Sequence, residues 1–182
     1  FPAPGVVPGG LFNGFTEGAS LNGGNELAFR TALRTGPGVT SANNAGLWVR
    51  SRFTGNTLTL AARKGFAAPG ASTATFASFD VPFVADDGGE VFTATLTMST
   101  ATGVTAINDR GLWLRNAAGA LTPALREGTA FTLAPGDIRI VSNITLPATP
   151  GSGRNPLSAE GRLLVLVSFT DGSSALYHFV LP

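Results

Sequence analysis

The chain has 182 residues, of which 43% are hydrophobic and only 13% charged, and its formal net charge is +1. Length and apolar content suit one domain over residues 1–182 with a core of its own. Eleven Arg and one Lys are scattered without a basic stripe, which excludes nucleic acid as an expected partner, and no run approaches the ~18 apolar residues that insertion into a membrane requires.

Cysteine is absent, which removes disulfides, thiolate catalysis and thiolate metal sites together. The first residues, FPAPGVVPGG, have no charged segment followed by an apolar one. An exported protein would therefore be read here in a mature or trimmed form. Sparse charge with 24 Gly and 12 Pro favours turn-rich β structure.

In chain order, the segment Phe1–Gly5 (FPAPG) resembles the end of an element that recurs later, and an FxxF pair follows at Phe12 and Phe15. A Gly-Gly turn leads into a predicted strand over Glu26–Arg34, then a loop and a strand over Gly46–Phe53. A tight turn near Gly55-Asn56 precedes a strand over Thr57–Lys64. A Pro/Gly corner and a last strand near Ala74–Val84 complete the unit.

The same order then repeats. NNAGLWVRS at Asn43–Ser51 returns as INDRGLWLRN at Ile107–Asn116, with Trp48 and Trp113 65 residues apart. Asn22–Leu33 aligns without a gap on Asp87–Met98, which sets Leu27, Phe29 and Leu33 on Phe92, Ala94 and Met98. The apolar face keeps its phase, as a paired strand requires. LAARKGFAAPG at Leu60–Gly70 returns within Pro123–Gly136, and Phe12/Phe15 return as Phe76/Phe79. A third, degenerate copy carries AEGRLLVLVSF and GSSALYHF, where Tyr177 stands at the tryptophan position. AEGRLLVLVSF is apolar on both faces, as a strand buried on both sides would be.

The expected fold is all-β, with about three four-stranded repeat units arranged as in a β-propeller; a threefold β-prism or a β-trefoil-like fold is the alternative. The expected units span about 16–79, 80–142, and 143–182 completed by 1–15.

These motifs resemble a family of bacterial exported tandem-repeat proteins whose repeats read NDxGxVAF, GLW and ARxGxxAPG, and whose members carry varied surface anchors. The matching residues are Asn22 to Phe29, Gly46-Leu47-Trp48, Ala62 to Gly65 and Ala68-Pro69-Gly70. The second copy matches at Asp86 to Phe92, Gly111-Leu112-Trp113, Arg126-Glu127-Gly128 and Ala134-Pro135-Gly136. The resemblance implies a propeller-like fold and a secreted or cell-surface location in a bacterium, and it implies no activity.

The chemistry-bearing residues are few. His178 is the only histidine, so neither a His-based triad nor a multi-His metal site fits one chain. Asp86, Asp87 and Glu90 cluster beside Gly88-Gly89. Such carboxylates are the oxygen donors calcium takes, and a pair of them serves glycosidases. The first copy has Leu21, Asn22 and Asn25 there, which favours a turn held by local side-chain bonds. Calcium is thus the one candidate cofactor. Trp48, Trp113 and Tyr177 offer either three core anchors or three platforms for sugar rings. Arg63 and Arg126, each near a glycine, suit hydrogen bonding to corner carbonyls between units.

No nucleophile–base pair can be named, so the chain is not expected to be an enzyme. The leading expectation is a structural or assembly protein, a homo-oligomer or polymer that forms rings or fibres through incomplete terminal units. The other expectation is a lectin-like module with glycans as ligands.

Overall fold

Segments that alternate apolar and polar residues, rich in Thr and Val, form paired strands where glycine turns return the chain. The computed structural model describes residues 1–15, 18–147, 156–158 and 160–181. The expected start of the first unit, residue 16, and Ala159 of the third copy lie outside the described residues. Apart from a 3-10 turn over Arg52–Thr54, the regular structure among them is β-strand.

Three antiparallel sheets follow one another along the chain. The first contains β1 (Ala19–Leu21), β2 (Leu27–Ala32), β3 (Ala45–Ser51) and β4 (Thr57–Arg63) in that order. The second contains β5 (Phe76–Phe79), β7 (Glu90–Leu96), β8 (Arg110–Arg115) and β9 (Leu121–Arg126), with β6 (Phe83–Val84) also paired to β7. The third contains β10 (Ala130–Ala134), β11 (Asp137–Thr145), β12 (Arg162–Phe169) and β13 (Ser174–Val180). Among the described residues the all-β expectation holds, and neither a closed barrel nor a closed propeller ring is formed.

The middle sheet is buried on both faces. Its aromatic face carries Phe76, Phe79, Phe92 and Trp113 and meets Leu47 and Ala62 of the first sheet. Its other face carries Val91, Leu112, Leu114 and Leu125 and meets Val165, Val167 and Phe169 of the third. Burial on both faces leaves nearly every position of β7 and β8 buried, Thr93, Glu90 and Arg115 included.

Two expectations about the frame of the repeat are corrected. Ala74–Val84 does not finish the first unit; it supplies β5 and β6 to the second sheet. Phe76 and Phe79 belong there because their rings pack on Phe92 and Trp113. Residues 1–15 do not complete the third unit, since that sheet draws all four strands from Ala130–Val180. Instead Ala3, Val6 and Phe12 pack on Phe29, Leu33 and Trp48 of the first sheet. The backbone joins in: Asn13 N donates to Ala32 O at 3.0 Å and Arg34 N to Leu11 O at 2.9 Å. The first two sheets are therefore each preceded by a Pro/Gly corner, closed by pairing of Pro2 with Leu11 and of Ala67 with Thr75, whereas the third corner falls inside its sheet, between β10 and β11, where Thr132 pairs with Ile138.

The gapless alignment of the second strand is off by two residues. Phe29 stacks on Trp48 and Phe92 on Trp113, both at 6.2 Å, so Phe29 corresponds to Phe92 and not to Ala94. Leu33 corresponds to Leu96, since both amides donate at 2.7 Å to the loop before the next strand. Two extra residues sit in the turn bridged by Ser99 and Val104, against Gly36 and Val39 in the first copy. A slip of two preserves the face, which is why the pattern gave no warning.

The G-L-W motif has a local cause. A Cβ on Gly111 would lie 2.6 Å from the Trp113 ring, and one on Gly46 would lie 2.9 Å from the Trp48 ring. The indole folds back over the residue two places before it, and only hydrogen fits beneath. The third copy has the smaller Tyr177 ring and tolerates Ala175 in the same place.

Candidate functional site

The aromatic positions are settled by burial. Trp48 and Trp113 are 0% and 1% exposed. Each sits in a tetrad, Phe12–Phe15–Phe29–Trp48 and Phe76–Phe79–Phe92–Trp113, with neighbouring ring centroids 4.8 to 6.2 Å apart. Their indole nitrogens donate to Pro4 O at 3.0 Å and Pro69 O at 3.1 Å, which pins each Pro/Gly corner onto its sheet. Neither indole presents a face to a sugar ring, so the platform expectation is corrected for both. They fill the core because an indole buries a large apolar area and needs one acceptor. Tyr177 remains partly exposed, edge-on to Phe131 and Phe179 and stacked beside the exposed His178.

The acidic trio does not converge. Asp87 Oδ1 accepts from Gly89 N at 2.8 Å, a turn closed within its own loop. Asp86 Oδ1 accepts from Gly23 N at 3.2 Å, across to the first sheet's glycine turn. Glu90 turns inward and pairs with Arg115 Nη1 at 2.7 Å, with both side chains buried. Burial pushes its carboxyl up to about 7; Arg115 opposes the shift and the nearby Glu26 carboxylate adds to it. Among the described residues no group of three Asp, Glu, His or Cys side chains is placed to hold a metal ion. A carboxylate neutralised by a buried arginine is a poor calcium ligand.

Arg63 Nε donates to Asn43 O at 2.9 Å and Arg126 Nε to Asn108 O at 2.8 Å. The carbonyl partners are of the expected kind, but they brace loops within a unit and do not join units.

The joints between sheets use charges that motif reading did not single out. A cleft of about 420 Å³ opens where the three sheets meet, and Arg30, Asp80, Thr93, Arg110 and Asn143 line it. Asp80 accepts from both Arg110 and Thr93, and Arg110 Nε also donates to Ile144 O at 3.3 Å. Arg30 donates to Phe79 O. Each of these contacts is internal, and those of Arg110 with Ile144 and of Arg30 with Phe79 cross from one sheet to the next, so these arginines act as struts. The signal available in the sequence was charge within apolar strands of a chain that has little charge.

The surface least explained by the protein's own packing is the outer face of the third sheet. In β12 Leu163, Val165, Val167 and Phe169 point into the core, while Leu164 and Leu166 alternate outward. Opposite them on β13 stand His178 and Leu176. Leu176 is 62% exposed, and Val180 and Ile140 are exposed on the same face. β13 is also an edge, whereas β3 is flanked by β4 and β8 by β9.

No curated protein and no solved structure matches the chain. A family model does match, over residues 1–180, and the chain belongs to that family, a family of unknown function (DUF7453).

Proposed function

We propose that this chain is a non-catalytic structural protein, exported to the surface or surroundings of a bacterial cell, that associates with itself into rings or fibres. The observation that carries the reading is the apolar outer face of the third sheet. Contiguous exposed aliphatic residues on one face of a sheet mark a contact surface. Leu164, Leu166, Leu176 and Val180 supply it here.

Other features support the reading without carrying it. The charge share of 13% leaves a surface of Ser, Thr, Asn, Gly and Ala. The motifs resemble those of exported tandem-repeat proteins, and three sheets packed face to face have the character of propeller blades. In the inter-sheet cleft Arg110 is paired with Asp80 and Arg30 is bonded to a backbone carbonyl, which fits a joint better than a reaction centre.

Sedimentation velocity across a concentration series, with electron micrographs of the same samples, tests the proposal. Species heavier than the monomer should grow with concentration and appear as rings or fibres. A single monomeric species at every concentration would overturn it.

A further inference from the structure

Cross-strand pairing sets equivalent positions in the three sheets. Trp48 pairs with Phe29, Trp113 with Phe92, and Tyr177 with Val165. Counting from these pairs, Leu47, Leu112 and Leu176 occupy one position on the face opposite the aromatic ring. Ala28, Val91 and Leu164 occupy a second on that face, and Arg30, Thr93 and Leu166 a third.

The first two copies cover this face and the third does not. Leu47 is 1% exposed because the second sheet packs on it, and Leu112 is 0% exposed because the third does. Leu176 is exposed. Both internal contacts are made in the same sense, the leucine face of one sheet against the ring-bearing face of the next.

The opposite end of the stack shows the complementary vacancy. Phe15 and Phe79 are equivalent members of the two tetrads. Phe79, covered by the first sheet, is 2% exposed, and Phe15 is 58% exposed. Beside Phe15 lies a hollow of about 210 Å³ lined by Gly18, Ala19, Leu27 and Phe29. The corner residues Ala3 and Val6 cover the tryptophan end of that face, as Ala68 and Ala71 do in the second sheet. Among the described residues no other sheet covers the phenylalanine end.

We propose that the leucine face of the third sheet receives the phenylalanine end of the first sheet of a second copy. The contact is head to tail and continues between molecules the packing that joins sheets within one. The inference rests on the self-association reading and specifies its geometry. Because the two surfaces differ, the contact is heterologous, and it propagates into a ring or a filament according to the rotation at each joint. It uses faces, so no strand needs to leave its own sheet.

Two single substitutions test it, Leu176→Glu on one surface and Phe15→Glu on the other. A charge in an apolar contact disfavours that contact strongly. Each variant alone should sediment as a monomer at concentrations where the wild type assembles. An equimolar mixture should give a discrete 1:1 dimer and nothing larger, because each variant keeps the surface the other has lost. Thermal unfolding should stay close to wild type for both, since both side chains are exposed, and Val180→Glu and Phe15→Ser serve as second variants.

If Phe15→Glu assembles as the wild type does, the third sheet pairs with its own copy or through the β13 edge. The head-to-tail geometry then falls and self-association stands. If the mixture remains monomeric although each variant is folded, the geometry falls as well. A wild type that never assembles overturns both.

Discussion

The second and third sheets both set a ring-bearing strand against the strand before it, yet they differ in what lies on either side. The second has a neighbour on both faces, so Leu112 and Trp113 are sealed and its core contains the aromatic tetrad. Among the described residues the third has a neighbour on one face only, and Leu176 and Tyr177, at the same two positions, meet solvent. Equivalent residues thus acquire different roles from their neighbours. An aliphatic residue left exposed where its counterparts are buried marks a surface meant for contact.

Substitutions at matched positions sharpen that difference. The largest effect is expected at the tryptophan. Trp113→Ala removes a fully buried indole and should cost about 3–5 kcal/mol of stability in urea unfolding, against about 1–2 for Tyr177→Ala. Equal losses would mean that the third sheet is as well packed as the second. Next comes the leucine position. Leu112→Ala should cost about 2–5 kcal/mol and Leu176→Ala less than about 0.5 at concentrations where the protein is monomeric. A large loss at Leu176 in the monomer would remove the case for an open face.

Glu90 has no counterpart in the third sheet, and it gives a pH test of the first joint. Its carboxyl is held near 7 in the folded protein and returns to the ordinary range on unfolding. The folded state therefore keeps a proton between about pH 4.5 and 7 that the unfolded chain has released. Stability must fall as pH rises through that window, on the order of 2–3 kcal/mol for a displacement of that size. Glu127, also raised by burial, acts in the same direction. Melting temperatures compared at either end of the window should show the fall, and Glu90→Gln should flatten most of it. A wild-type protein that gains stability over this range would mean that the pairing with Arg115 outweighs burial at Glu90.

The smallest effect expected is at the glycine beneath the ring. Gly111→Ala sets a methyl group against the Trp113 ring and should cost about 1–3 kcal/mol by overpacking. The reverse change in the third sheet, Ala175→Gly, should cost under about 1 kcal/mol, the ordinary penalty of glycine in a strand. A harmless Gly111→Ala would show that the G-L-W spacing has another cause.

Much of this architecture could be read from the residues themselves. Glycine turns, period-two alternation and the recurrence of G-L-W and A-P-G are local signals, set by backbone sterics and by ring size, and they specify an all-β chain of three related sheets. The frame of the repeat was not readable in that way. Whether Phe76 and Phe79 close one sheet or open the next depends on which tryptophan they touch, and both answers fit the same pattern. The two-residue slip at Phe29 was hidden because strands repeat every two residues. Burial of Trp48 and Trp113 and the inward turn of Glu90 were likewise matters of what packs against them. A sequence carries the alternation that makes two faces for each sheet. Only the packing of one sheet on another decided which faces are covered, and so left Leu176 and Phe15 as the two open ends.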